Sequence, residues 1–347
     1  MERKRMGIYR NWFLASRPWS FTMTAISVSV GSALAAIDGP FDWPLALLAL
    51  LSAILLHAAT NLINDYYDVV NGVDTFQAAT AQYRPHPLVE GLLPREHVRR
   101  VAYGLFVLAA LIGIYLTLVC GVVVLVIGLV GLLAGLTYTA PPLKYKYVAL
   151  GEVSVFLMWG PLMVEGAYFV QRQSLSISAF WVSLPFGVLV ALVLLANNIR
   201  DIDHDHRRGI RTLAILLGHR LGLNTYLSLM VMAYAGILVL ALTGVLTMWV
   251  LIVLPGVIFA VLVGAWAFEL SLAVSLAIIP ATLLVVVTSA AVGYAIASVL
   301  PPMLAMLVSQ VLVFGVLLFS PIAFPASRLP EWLQSVHSVL PVGSMAE

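Results

Sequence analysis

The dominant pattern along the chain is a succession of long apolar runs separated by short polar breaks. Runs lie near residues 20–38, 44–63, 99–118, 121–139, 149–171, 177–197, 222–243 and 247–268, with two more at 270–299 and 303–322. A helix needs about 20 apolar residues to cross roughly 30 Å of hydrocarbon, so each run is long enough to span a membrane. The breaks "DGPFDWP" (38–44), "APPLKYKY" (140–147) and "LTGVLT" (242–247) carry the Gly, Pro and polar residues of turns. The pattern predicts an all-α, polytopic transmembrane bundle of about ten spans.

Composition narrows the class. The 347 residues are 62% hydrophobic and 10% charged, against about 25% charged in soluble domains. A net charge of +2 does not suggest a nucleic-acid partner, and the lipid bilayer is the expected surrounding. Cys120 is the only cysteine, which excludes an intramolecular disulfide and a cysteine-rich metal site. The basic start "MERKRMGIYRNWFLASRPWS" leads into the first run and reads as the flank of an uncleaved span. Sixteen of the eighteen Lys and Arg fall before span one or in the breaks after spans two, four and six. Only Arg172 falls opposite, and Arg328 lies in the tail. The positive-inside rule makes the rich side cytoplasmic, as in a multi-pass protein of the inner (plasma) membrane.

The aspartates are concentrated. Of eight, six form two groups: Asp65, Asp68 and Asp74 in "NLINDYYDVVNGVDT", and Asp201, Asp203 and Asp205 in "NNIRDIDHDHRRGIRTLA". Both follow even-numbered spans and so face the cytoplasm. Asn61, Asn64 or Asp65, and Asp68 share one helix face, as do Asn197, Asp201 and Asp205. One such group could be ordinary helix capping. Two with matching spacing on one side favour chemistry. Clustered carboxylates need a cation, and hard oxygen ligands suit Mg²⁺ bridged to substrate phosphates. Arg84 and His86 flank the first group and Arg200, Arg207, Arg208 and Arg211 the second, and arginine matches phosphate geometry.

These two motifs resemble the paired Asp-rich motifs of the UbiA superfamily of intramembrane prenyltransferases. "ASRPWSF" and "TYTAPPLKYKYVALGEVSVFLMWGPLMVEGAYFVQ" (137–171) look most like 1,4-dihydroxy-2-naphthoate polyprenyltransferases of menaquinone synthesis, over about residues 10–245. The resemblance implies a nine-helix bundle with a cytoplasm-facing cavity. It implies that Asp65, Asp68, Asp201 and Asp205 hold Mg²⁺ and are catalytic toward a polyprenyl diphosphate and an aromatic acceptor. Asn61, Asn64, Asp74, Arg84, Lys144, Asn197, Arg200, Arg211, Tyr138 and Glu165 are the candidate substrate-binding residues. Tyr147, Trp159 and Tyr168 are further aromatic candidates. The stretch "AQYRPHPLVEGLLP" (81–94) and Ile210 depart from the naphthoate enzymes, so another acceptor stays open. Of the intramembrane acids, Glu152 starts span five and Glu165 lies deep within it, lining the acceptor pocket or bonding between helices. His57 reads as a satisfied core residue, and Gly131 and Gly135 as a close helix contact.

The last segment differs. Residues 291–347, with "SPIAFP" and "LPEWLQSVHSVLP", resemble the C-terminal part of permease subunits of ATP-binding-cassette exporters. This suggests a prenyltransferase bundle over 1–268 and an additional membrane segment over 269–347, with a fused exporter-permease-like tail as one reading of it. The alternative function is an exporter permease; without a Walker A sequence in this chain, it would need a separate ATPase partner.

Overall fold

The computed structural model describes residues 7–76 and 86–247. The described residues belong to a compact unit that closes at Leu246. The spans drawn beyond residue 247, the 268/269 boundary, the exporter-like segment and Arg3, Lys4, Arg5 and Arg84 lie outside them.

The helices are α1 (Ile8–Ser16), α2 (Phe21–Asp38), α3 (Trp43–Val70), α4 (Arg95–Cys120), α5 (Val122–Thr137), α6 (Gly151–Leu157), α7 (Met163–Arg172), α8 (Ile177–Arg200), α9 (Ile202–Arg207) and α10 (Leu213–Leu242). Six described helical segments are long and apolar enough to cross a membrane, with Val122–Thr137 a shorter apolar helix. Their starts follow local chemistry. Asp42 accepts from Leu45 N at 3.0 Å with Pro44 in the first turn, and Ser176 and Thr212 accept from Ala179 N and Ile215 N at 3.3 and 3.4 Å. Each satisfies an otherwise orphan N–H. The fold is all-α, and among the described residues the only β pairing is a single bridge between Val148 and Arg211.

Outward-facing positions are apolar, as a hydrocarbon solvent requires: Leu118 is 80% and Val122 66% exposed. Inside, small residues let backbones approach. A Cβ on Gly31 would stand 2.1 Å from the Val164 carbonyl oxygen, joining α2 to the span that contains α7. On Gly135 it would stand 2.5 Å from Thr60 Oγ1, the close contact between α5 and α3 expected from the GxxxG. Cys120 is buried and free.

Several boundaries differ from the sequence reading. Residues 8–16, within the basic N-terminal stretch, form α1, whose Ala15 packs with Ala59, Leu62, Val98 and Phe106 of α3 and α4. Hydropathy misses it because Arg10 and Asn11 interrupt the run. Helix α3 continues to Val70, so Asp65 and Asp68 sit within its last turns. The seventh span starts at Leu213 rather than 222, because Thr212 caps it and Gly218 (φ 72) kinks it. The fifth span is broken at Met158–Leu162, where Pro161 lacks a donor and Gly160 has φ −84 and ψ −108. Finally, Asn197, Asp201 and Asp205 do not share one helix. Asp201 is the junction of α8 and α9, although i→i−4 bonds continue through it, from Asp201 N to Asn197 O (3.0 Å) and Asp205 N to Asp201 O (2.9 Å).

Candidate active site at the carboxylate end of the bundle

The first acidic stripe is buried and engaged with cations and donors, apart from Asp65 Oδ2, which is buried without a hydrogen-bond partner. Asp65 and Asp68 are 1% and 2% exposed. Arg17, held in a left-handed turn (φ 54) between α1 and Pro18, pairs with Asp65 Oδ1. Lys146 Nζ donates to Asp68 Oδ2 at 2.7 Å and to Asn64 Oδ1 at 3.3 Å, and the Tyr147 hydroxyl donates to Asp68 Oδ1. Asn61 lies one turn earlier and donates to the Ser16 carbonyl (3.0 Å) and Ser20 Oγ (3.1 Å), tying α3 to the Arg17 turn. Burial opposes the charge on Lys146, but the Asp68 carboxylate, with Tyr138, Tyr147 and Asp74 near, holds its pKa above the usual lysine value.

After Gly72 (φ 72) the chain folds back, and Val73 N and Asp74 N both donate to the Asp68 carbonyl, at 2.8 and 3.1 Å. Asp74 Oδ2 meets His86 Nε2 at 3.1 Å. Burial pushes the Asp74 carboxyl up, but the His86 bond and the charges of Lys146 and Arg17 oppose it, and the carboxyl is held well below the carboxylate range. Ligand atoms of Asp65, Asp74 and His86 lie within 4.8 Å of one another, close enough by distance alone to surround an ion. The hydrogen bonds argue otherwise. Val89 N donates to His86 Nδ1 (3.3 Å), so the ring proton belongs on Nε2, where it is donated to Asp74 rather than leaving a lone pair for a metal. His86 therefore clasps the turn onto α3.

The second stripe faces the first. Arg200 forms a two-pronged pair with its neighbour Asp201, both bonds 2.7 Å. The pKa of Asp205 is pushed up to about 6, by burial above all; Lys146 opposes this and Asp201 adds to it. The two motifs are joined by their turns. His204 Nε2 lies 3.2 Å from the Val73 carbonyl and Arg208 donates to Thr75 Oγ1 at 3.2 Å. Arg211 N donates to the Tyr147 carbonyl (3.1 Å), and Lys144 Nζ to Asn71 Oδ1 (3.0 Å). Tyr138 stacks edge-on against Tyr145, with Lys146 Nζ 5.8 Å from its ring. The turn 138–148 is thus the bridge between the two stripes.

Of the candidate residues, Asn61, Asn64, Asp65, Asp68, Asp74, Tyr138, Lys144, Arg200, Asp201, Asp205 and Arg211 belong to this end, and Asn197 sits exposed one turn before Asp201. Glu165 does not. Its carboxylate accepts from Ser176 N (3.2 Å) at the start of α8. That helix of 24 residues separates Glu165 from the acidic motif by about 36 Å, so the interhelical bond is the role observed. Tyr168 lies at the same far end, donating to Asp38 Oδ2 at 2.6 Å. Trp159 donates to Thr24 Oγ1 (3.2 Å), which also meets His57 Nδ1 at 2.8 Å, so His57 is a satisfied core residue. Arg17, Lys146 and Asn198 were not singled out as site residues from the sequence, whereas Tyr147 was an aromatic candidate and lies at this end. The alternation "LKYKY" was the available signal for Lys146, a polar turn carrying both charge and aromatic faces.

The donor set fits a hard divalent cation. Asp68 and Asp205 both lie within electrostatic reach of Lys146, an all-oxygen carboxylate set without a thiolate, and burial above all raises the Asp205 pKa, so an uncompensated anion is disfavoured there. The surrounding Arg and Lys side chains supply the complementary charge for a phosphate group.

Residues 24–277 match the UbiA prenyltransferase family. The chain is 32% identical over 219 residues to the 1,4-dihydroxy-2-naphthoate octaprenyltransferase of Bacillus subtilis, covering 63% of this chain and 70% of that protein. It is 34% identical over 238 residues to the UbiA prenyltransferase domain-containing protein 1 of Dictyostelium discoideum, covering 67% and 70%. Its fold is similar to that of a UbiA homolog from Archaeoglobus fulgidus bound to GPP and Mg²⁺, with a TM-score of 0.59 and 16% identity over 83% of this chain and 99% of that one. The chain belongs to the UbiA prenyltransferase family and is a membrane prenyltransferase.

Proposed function

We propose that this enzyme transfers a polyprenyl group from a polyprenyl diphosphate to 1,4-dihydroxy-2-naphthoate, in menaquinone biosynthesis, with Mg²⁺ as cofactor. The observation that carries the reading is that Lys146, bonded to Asp68, is also within electrostatic reach of Asp205, with Arg208 and Lys144 on the turns that join the motifs. The relatives' names and the 137–171 segment support the naphthoate acceptor. The one-sided distribution of cations supports a motif end that faces the cytoplasm from the plasma membrane.

Asp65, Asp68, Asp201 and Asp205 are the residues that would hold Mg²⁺, which neutralises charge on the departing diphosphate. Lys144, Arg208 and Arg211 bind its oxygens. Lys146 holds Asp68 in place and adds positive charge where the leaving group develops negative charge. The aromatic faces of Tyr138 and Tyr147 lie beside that centre and stabilise an allylic cation. The apolar walls below exclude water, so the acceptor ring rather than hydroxide captures the cation.

Membranes bearing the full chain, supplied with Mg²⁺, a polyprenyl diphosphate and 1,4-dihydroxy-2-naphthoate, will release pyrophosphate and form a prenylated naphthoquinol, the ring carboxylate leaving as CO₂ as the prenyl carbon takes its place. Transfer to 4-hydroxybenzoate but not to the naphthoate would refute the acceptor, and no transfer to any aromatic would refute the reaction.

A further inference from the structure

One buried acid near the stripes is only half satisfied. Glu152, in the first turn of α6, is 7% exposed. Its Oε1 accepts from Asn198 Nδ2 at 2.8 Å, while Oε2 is buried and has no hydrogen-bond partner. A carboxylate oxygen with no donor is costly in an apolar surrounding, because its lost hydration is not replaced. The position of this oxygen is informative. Asn198 stands three residues before Asp201, on the α8 turn that leads into the second stripe. On the other side, a Cβ added to Gly151 would stand 3.5 Å from the Tyr138 hydroxyl. The ring of that tyrosine reaches back to within 5.8 Å of Lys146 Nζ. Glu152 is therefore near enough to Tyr138 for the two to interact electrostatically, and so one side chain away from the Lys146 end.

We infer that Glu152 Oε2 receives a hydrogen bond from a ring hydroxyl of the aromatic acceptor, and that this contact selects hydroxylated acceptors. The inference rests on the prenyl-transfer reading above and adds to it the group that recognises the acceptor. Asn198 is the positioning residue: its amide occupies Oε1 and leaves Oε2 as the acceptor. A site built to bond a hydroxyl discriminates strongly against an analogue without it, since the buried oxygen is then left unpaired.

The test is binding of 1,4-dihydroxy-2-naphthoate and its two mono-deoxy analogues to the full chain in nanodiscs, without donor, followed by steady-state kinetics. Wild type is expected to bind one deoxy analogue at least tenfold more weakly than the parent. E152Q keeps a carbonyl for Asn198 but presents an NH₂ in place of Oε2. It should lose that discrimination and raise the acceptor KM about tenfold or more with the donor KM unchanged. Glu152→Asp should recover part of the loss. Equal binding of all three ligands by wild type, or an unchanged acceptor Kd and KM in E152Q, would overturn the proposal and leave Glu152 a structural acid only. Selective binding without turnover would instead uphold Glu152 and overturn the transfer reading. If E152Q does not fold, the analogue comparison on wild type decides.

Discussion

Replacing Lys146 with Met will destabilise the bundle, and removing its partner as well will recover much of the loss. Lys146 Nζ lies 2.7 Å from Asp68 Oδ2, with the side chains 20% and 3% exposed. At that distance and an effective dielectric of about 20, the gross attraction is about 6 kcal/mol. The net value is smaller, because both ions lost water on burial. The relevant cost of K146M is that of an unpaired buried carboxylate, about 3–5 kcal/mol, at the low end because the Tyr147 hydroxyl still donates to Asp68. For a unit of this size about 3 kcal/mol corresponds to a fall of roughly 6–12 °C in apparent Tm. The assay is thermal unfolding of wild type, K146M, D68N and the double variant in one detergent. Asp68→Asn removes the stranded charge, so the double variant should be more stable than K146M by about 1–3 kcal/mol, yet both will lack transfer activity. An apparent Tm for K146M within about 1 °C of wild type would refute the buried-pair argument. So would a double variant no better than K146M.

Asp201→Asn and Asp205→Asn should each lower kcat by about 10²-fold or more with normal membrane insertion, on the scale of losing one stabilising group at a developing charge; radiolabelled prenyl transfer checks this. Burial pushes the Asp205 pKa up to about 6, and in the proposed role only its ionised form would bind metal. The Mg²⁺ concentration for half-activity should therefore be flat above about pH 6.5 and rise toward tenfold per unit below pH 6; a pH-independent Mg²⁺ requirement from 5 to 7 would refute this. Gly31→Ala should destabilise by about 1–3 kcal/mol, because its Cβ would meet a backbone oxygen at 2.1 Å that cannot move aside. Gly113→Ala, in mid-helix with nothing within 4 Å, should instead stabilise by about 0.5–1 kcal/mol, and thermal unfolding ranks the two.

The end of the bundle opposite the carboxylates shows why a charge count along the chain is not a site. Arg172, the one basic residue on that side among the described residues, donates to the Pro40 carbonyl and folds its guanidinium against Gly39. The Gln171 side-chain amide accepts from Asp42 N at 2.8 Å and donates to the Asp42 carbonyl at 3.0 Å. These groups close the α2–α3 turn onto α7. They are used up in joining chain to chain, so the cation there serves the fold.

The apolar runs, their approximate number in the described part, the one-sided cations and the paired Asp stripes were all determined by the sequence. The reason is that the cost of polar groups in hydrocarbon and the rise of a helix act along one dimension, and both leave periodic marks in the chain. Even there, polar residues inside a terminal turn obscured the ends: α3 runs through Asp68, and α1 is hidden by Arg10 and Asn11. Which groups meet was decided only by the lateral packing of helices. Glu165 and Glu152 belong to one apolar run, yet one meets a backbone N–H at the start of α8 and the other an Asn at its end. Arg17 meets Asp65, and Lys146 meets Asp68 across 78 residues of chain, because α1 and the 138–148 turn both close over the last turns of α3. Such contacts have no fixed sequence spacing. They follow from small residues such as Gly31 and Gly135, which set how closely, and at what height, each helix lies against the next.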